Sequence, residues 1–378
     1  MHSLPYALLF GFFLCGALLE HRVVRTKEIL FIRTLVILVA LMFFGLRGYI
    51  LTDFINYYQF FTKLDSSTLE GDLMKYGSGF VYFARLIKEV SSSYHFWIFA
   101  SSSVHIFLLS IIFRRYLGNI SLGLVFFLAF RGVTFEFNLM QNFMSVLLFI
   151  VSITYLYERR FLYYIFLNLI GLSFHLSSLI YFPLYFLVQR SIGMRWGFIS
   201  IFAANLFYFI GSDLVTDMLF RLVSNSSFAA FESYLYFFID SSSYELSFGF
   251  LERTLVIILM TLYYEKIKLE ILHGTVFYNL ALLYYCSFLL LSPVAVLADR
   301  VPILFLASYW IIIPGLIISK HRYRTIIACA LITLGFTKLI LSTQDQVARY
   351  ENLLFEIESY DQRKSGVLEH NYQNHRKH

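Results

Sequence analysis

The chain is a succession of apolar runs separated by short basic stretches and two long polar ones. The runs lie at roughly 4–19, 29–46, 96–113, 120–133, 138–157, 161–174, 176–188, 196–212, 248–264, 272–292, 301–319 and 325–341. A transmembrane helix needs about 20 predominantly apolar residues, with a range of roughly 17–25. The pattern therefore predicts an all-α, polytopic membrane helical bundle of about 12 transmembrane helices. The first run lacks a basic leader and an A-x-A-like cleavage site, so it reads as a retained span. The polar stretches 47–95 and 213–247 are predicted as two larger extracytoplasmic loops. Residues 1–342 then form a transmembrane domain and 343–378 a polar C-terminal tail. No internal repeat is visible. The serine triplets at 91–93, 101–103 and 241–243 are expected at helix starts or in loops, where Ser competes for local backbone bonds.

Composition agrees. Of the 378 residues 59% are hydrophobic and only 14% charged, against about 45–50% and roughly 25% in soluble domains. The 28 Tyr and 43 Phe suit a bilayer, Tyr especially at the headgroup level. Cys15, Cys286 and Cys329 fall inside apolar runs with no CxxC spacing, so they read as small buried hydrophobes. The net charge of +6 is scattered; it suits cytoplasmic membrane loops and no nucleic-acid partner is expected.

Charge placement orients the bundle. Arg22/Arg25/Lys27, Arg114/Arg115, Arg159/Arg160, Arg190/Arg195, Lys266/Lys268 and Lys320/Arg322/Arg324 all fall on one face of the span scheme. That face is expected to be cytoplasmic, which puts the N-terminus and, with twelve spans, the tail outside. The opposite face carries mixed charge, including Arg47, Arg131 and Arg300, where the topology rule disfavours cations.

Four constellations on that outer face hold candidate chemistry. Gly45-Leu-Arg47-Gly48 with Asp53 and Tyr57-Tyr58 opens the first loop. The planar Arg fork suits phosphate oxygens, and Asp53 could orient it or accept a sugar hydroxyl; a local Arg–Asp pair is the plainer alternative. Phe174-His175-Leu176-Ser177-Ser178 puts a near-neutral base at the membrane edge, or else a capping His. Asp299-Arg300 precedes Pro302 at a helix start, with Tyr309 deeper in the span. Arg131 with Glu136, Asn138 and Gln141 is placed in the connection before the fifth run. No P-loop, GxGxxG, HExxH or DxD motif occurs. Asn119-Ile-Ser121 and Asn225-Ser-Ser227 match glycosylation sequons, the first on the predicted cytoplasmic side.

These residues resemble the EpsG-like branch of bacterial Wzy-type polysaccharide polymerases. The family's R…D…Y pattern after the second span is Arg47, Asp53, Tyr57 here. Its Gly…His-x-Ser element before a Pro-containing span reads Gly171-Leu-Ser-Phe-His175-Leu-Ser177, with Pro183 following. Its late acid–Arg pair opening a Tyr-containing span is Asp299-Arg300 and Tyr309. The family's Arg-Gln pair entering the fifth span is Met140-Gln141, so that Arg is absent here or its part falls to Arg131.

The resemblance implies a metal-independent glycosyltransferase of the bacterial cytoplasmic (inner) membrane with its active site outside. It would join oligosaccharide repeat units carried on undecaprenyl diphosphate, with no cofactor. His175, Arg47 and Asp53 would be catalytic; Arg131, Arg300, Asp299, Tyr57, Gln141 and Tyr309 would bind diphosphate and sugar. Membrane lipid and a chain-length regulator protein are the further partners. A lipid-linked oligosaccharide flippase, an O-antigen ligase and a membrane acyltransferase are the alternatives the same layout leaves open.

Overall fold

Within the described residues each of the twelve apolar runs is largely helical, because a segment in lipid must satisfy its backbone polar groups internally. A computed structural model describes residues 2–64, 76–210, 221, 247–355 and 357–375. In chain order the helices are α1 (Leu4–Arg22), α2 (Thr26–Gly45), α3 (Phe54–Lys63), α4 (Ser78–Val90), α5 (Tyr94–Tyr116), α6 (Ile120–Phe137), α7 (Met140–Tyr157), α8 (Phe161–Phe174) and α9 (Leu176–Leu187). There follow α10 (Gly193–Ile210), α11 (Phe248–Leu262), α12 (Tyr264–Glu270), α13 (Gly274–Leu291), α14 (Ala295–Arg300), α15 (Ala307–Ile318), α16 (Arg324–Thr343) and α17 (Tyr360–His375). The described residues contain no extended sheet, only an antiparallel bridge between Arg47 and Asn352.

Among the described residues eight helices are long and apolar enough to span, namely α1, α2, α5, α6, α7, α10, α13 and α16. The pair Val296–Phe305 and Ala307–Ile318, bent by 50°, makes a ninth if it is one span. The structure thus supports eight or nine long spans where the sequence predicted about 12. The difference is one of length. The α8 helix has 14 residues and α11 has 15, reaching about 21–23 Å at 1.5 Å per residue against a hydrocarbon core of about 30 Å.

The helices divide into two compact units, residues Met1–Tyr185 with Thr325–His378, and residues Phe186–Arg324. In the first unit, α1, α2, α5, α6 and α7 pack side by side. One end is fastened by Glu20, which pairs with Arg33 at 2.9 Å and accepts from the Ser121 amide at 2.9 Å and the Ser121 hydroxyl at 2.6 Å. A carboxylate at the start of α6 meets the positive end of that helix. Asn119 caps the same helix through the Leu122 amide and donates to the Ala17 carbonyl. The Asn119 sequon is therefore consumed by folding; the Asn225 sequon lies outside the described residues.

The described residues of the first polar stretch form a helical cap with its own core. The ring of Phe61 stacks on Trp97 at 4.9 Å, and Tyr57, Phe60 and Phe80 surround the same indole. Nearly all of the second predicted loop, 213–247, lies outside the described residues, as does the serine triplet 241–243. Ser93 caps α5 as expected, but Ser101, Ser102 and Ser103 sit inside that helix. The hydroxyls of Ser101 and Ser103 donate back to the Trp97 and Phe99 carbonyls.

Residues 344–375, part of the expected polar tail, pack onto this cap. The amides of Gly48 and Leu51 donate to the Glu351 and Val347 carbonyls, both at 2.9 Å, and the Leu353 amide donates to Leu46 at 2.7 Å. Tyr350 stacks on Phe43 at 4.1 Å and Tyr360 on Tyr58 at 4.0 Å. Arg363, 4% exposed, donates to the carbonyls of Tyr49, Gln346, Val347 and Arg349. The tail segment thus lies on the same face as Arg47.

In the second unit α13 is central, packed against α10, α12, α14 and α15. Asn279 on α13 donates to the carbonyls of Val188 and Arg190, tying the chain before α10 to the bundle.

Candidate active site

Helix α2 ends at Gly45, and Arg47 turns back over that end. Its Nη1 donates to the Phe44 carbonyl at 2.8 Å and to Ser102 Oγ at 3.0 Å. Its Nη2 donates to the Glu136 carbonyl at 2.8 Å and to Met140 Sδ at 3.5 Å, while the guanidinium carbon lies 4.7 Å from the Phe137 ring centre. Phe44 and Glu136 belong to the last turns of α2 and α6, whose carbonyls have no partner within their own helix; a basic side chain is a natural donor there. Arg47 is only 4% exposed. The side chain expected to meet a diphosphate is instead spent on joining three helix ends.

Glu136 extends this network. Its Oε2 lies 3.2 Å from His105 Nδ1 and 3.3 Å from the Ser102 hydroxyl. Its other oxygen is buried without a hydrogen bond to any described residue. Arg47, Ser102, His105 and Glu136 are all buried. His105 also borders a cavity of about 10 Å³ beside Met140 and Phe174, room for about one water.

Asp53 and Tyr57 are strapped to the same corner. The Asp53 amide donates to Asn138 Oδ1 at 3.3 Å, and the Tyr57 hydroxyl donates to the Asn138 carbonyl at 2.8 Å. The Asp53 carboxylate is half-buried. Tyr57 is buried, its ring covered by Phe80 and Trp97.

The chain reverses at His175, which ends α8 and precedes α9. The His175 ring is half-buried. Its Nδ1 lies 2.8 Å from Ser177 Oγ and 3.1 Å from the Ser177 amide nitrogen, and the Ser177 hydroxyl donates to Asn142 Oδ1 at 2.9 Å. Two tautomers compete. If Nδ1 accepts from the Ser177 amide, the proton sits on Nε2. If Nδ1–H donates to Ser177 Oγ, the chain His175–Ser177–Asn142 is satisfied in sequence and Nε2 keeps a lone pair. Asn142 is the third residue of α7, next to the half-buried Gln141. The first turn of α7 and the residues just before it therefore gather Arg47, Asp53, Tyr57, Gln141 and His175.

Arg131 is elsewhere. The sequence placed it in a connection, but it sits in a break within α6, Leu128–Gly132. Phe130 has φ −110° and ψ 79°, and Arg131 has φ 65°. The helix resumes at Val133 because the apolar sequence continues to Phe137. Gly132 allows the break: a Cβ there would lie 2.4 Å from the Phe127 carbonyl oxygen. Lys338 on α16 lies 5.0 Å over the Phe130 ring.

In the second unit Asp299 and Arg300 are exposed at the end of α14. Tyr309 is fully buried and meets Tyr284 edge-on at 5.0 Å. Beside Tyr284 lies Arg253 of α11, 8% exposed, with Nε donating to the Tyr284 hydroxyl at 2.8 Å.

The sequence model of the EpsG family matches residues 30–354. The chain belongs to the EpsG family. This membership is consistent with the Wzy-type O-antigen polymerases. No curated protein and no solved structure matches the chain significantly. The match spans the corner at α7 in the first unit and the Arg253–Tyr309 cluster in the second, so the family's shared segment contains both.

Four residues of this EpsG-family chain are not among the sequence candidates, namely Ser102, His105, Asn142 and Arg253. His105 lies inside the run 96–113, and Glu252 and Arg253 lie inside the run 248–264. An ionisable residue within an apolar run was the signal, since such groups are rare in spans and face a partner or a cavity.

Proposed function

We propose that this protein is a surface-polysaccharide (O-antigen) polymerase, joining undecaprenyl-diphosphate-linked oligosaccharide repeat units on the outer face of the bacterial inner membrane. Family membership over residues 30–354 carries the reading. A sugar hydroxyl of the acceptor unit attacks the anomeric carbon of the donor chain. The bond from that carbon to the diphosphate oxygen breaks, and the acceptor proton passes to a base.

His175 is the base. In its competent tautomer Nδ1–H donates to Ser177 Oγ, which is held by Asn142, and Nε2 takes the proton. A positioned base contributes about 10²–10⁴-fold. Asp53, half-buried at the same corner, orients the acceptor hydroxyl, and Gln141 binds sugar. Arg47 and Tyr57 act at one remove, by fixing the corner to α2, α3 and α6. Arg300, exposed beside Asp299, is available to the diphosphate leaving group, where one oriented donor is worth about 10²–10³. Arg131, half-buried in the first unit, and Tyr309, buried in the second, each shape the scaffold of their own unit. The resemblance implies a metal-independent transfer, in which cationic side chains stabilise the charge that grows on the diphosphate leaving group. Membrane lipid surrounds the site, and a chain-length regulator acts as protein partner.

The test is complementation of a strain lacking its own copy, with surface glycan resolved by chain length. His175→Gln and Arg300→Gln should give single repeat units at normal protein level. Full-length chains from both variants would remove the site assignment. An unchanged glycan in the strain lacking the protein altogether would remove the polymerase reading.

A further inference from the structure

The guanidinium of Arg253 is held as an open fork. One face of the ion lies 3.8 Å from the Phe288 ring centre, and the Tyr284 ring centre is 5.5 Å away. Its Nε is fixed by the Tyr284 hydroxyl. Its two terminal nitrogens make no hydrogen bond to any described residue, and no described carboxylate pairs with it within 4 Å, although Glu252 is its neighbour in sequence. Gly249, one turn earlier, leaves room for Nη1; a Cβ at 249 would sit 2.8 Å from it. The contrast with Arg47 is direct. Arg47 is also buried, and both of its terminal nitrogens have partners.

The position suits a ligand at a membrane surface. Arg253 lies five residues into α11 and Tyr284 seven residues before the end of α13, depths of about 8 and 10 Å at 1.5 Å per residue. These helices run in opposite directions, so both depths are measured from the same end of the unit. A charge at this depth is desolvated on its ring faces while its outer nitrogens still have two donors each. That geometry matches two oxygens of a tetrahedral anion, which Arg binds bidentately.

We propose that the Arg253 fork, steadied by Tyr284 and Phe288, is a phosphate-class oxyanion site of the second unit that takes the diphosphate of a lipid-linked sugar. The oxyanion site stands on the fork alone; its assignment to a lipid-linked diphosphate rests on the polymerase reading. An ordinary anionic phospholipid headgroup has the same chemistry, so the test separates the two.

The full-length protein in phosphate-free maltoside micelles is titrated with inorganic pyrophosphate, and its thermal unfolding is followed. Saturable stabilisation is expected for the wild type. It should weaken at least tenfold in Arg253→Gln and less in Arg253→Lys, which keeps the charge and loses the fork. Arg322→Gln, an exposed arginine elsewhere, should leave it unchanged. If Arg253→Gln does not fold, Gly249→Ala and Tyr284→Phe perturb the same fork with the charge in place, and either should weaken binding severalfold. Equal pyrophosphate response in the wild type and all these variants overturns the site. Repeating the titration in phosphatidylglycerol nanodiscs distinguishes the sources. A response that persists supports the lipid-linked diphosphate, and one that phosphatidylglycerol abolishes assigns the fork to bulk lipid instead. Binding is read without glycan synthesis, so the site and the polymerase reading fail separately.

Discussion

Replacing Arg47 by Met tests whether this residue acts on substrate or on the fold. Its removal strips a donor from Ser102 and leaves the Phe44 and Glu136 carbonyls without their partner. It also leaves the Glu136 carboxylate, 0% exposed and with one oxygen already unpartnered among the described residues, without a compensating cation. Burial pushes the Arg47 pKa down and Glu136 is the chief opposing influence, so the two charges are coupled. Removing one member of a buried pair typically destabilises by about 3–5 kcal/mol, and an orphaned buried acceptor by about 1–3 kcal/mol. With partial relaxation of the network, the expected loss is about 4 kcal/mol. That is a large share of a stability of about 5–15 kcal/mol.

The assay is denaturant unfolding of purified protein in micelles, with protein level in cells alongside. Arg47→Lys keeps charge with a poorer fork and should lose about half as much. The double variant Arg47→Met/Glu136→Gln should be more stable than the sum of the singles by about 2 kcal/mol, since neighbours in one network couple. An Arg47→Met protein within about 0.5 kcal/mol of wild type that nonetheless makes only single repeat units would refute the positioning role and return Arg47 to the substrate.

Three further outcomes follow from the same geometry. Ser177→Ala breaks the relay from His175 to Asn142 and should reduce chain extension about tenfold, with a shifted pH–rate profile; an unchanged profile speaks against the base-competent tautomer. Arg131→Gly relieves a left-handed backbone and should stabilise by about 1 kcal/mol, measured by unfolding; destabilisation would show that the Arg131 side chain holds the kink. Tyr49 carries a pKa pushed up to about 12, first by burial and then by Tyr58 and Tyr360. A raised folded pKa means its contribution is complete below pH 10 and is lost as pH rises toward 12, so limited proteolysis of the tail should accelerate across that window in wild type and less in Tyr49→Phe.

The helices were legible because backbone satisfaction in lipid leaves no other choice, and the basic loops marked their ends. The R…D…Y residues were found for the same reason: Arg47 closes a span, and a charge at a span end stands out. The structure gave that pattern a different meaning, since Arg47 faces inward to the ends of α2 and α6. The break at Leu128–Gly132 was hidden because apolar residues flank it on both sides, and hydropathy is blind to a change of direction inside a greasy run. The docking of the tail was hidden too. It combines backbone hydrogen bonds between residues 46–51 and 347–353 with the side chains of Tyr350, Tyr360 and Arg363, and partners so far apart along the chain leave no local pattern to read.

The most telling residues were single charges inside apolar runs, easily taken for noise. A lone ionisable group in such a run must find a counterpart. His105 finds Glu136, whose main-chain carbonyl is in turn held by Arg47, and the three close on one another within the first unit. Arg253 finds a hydroxyl and two aromatic faces, and its terminal donors remain open among the described residues. The first arrangement is what stability alone requires. The second is incomplete until an anion arrives, and that incompleteness separates a structural arginine from a binding one where sequence, which shows only an Arg in a span, treats them alike.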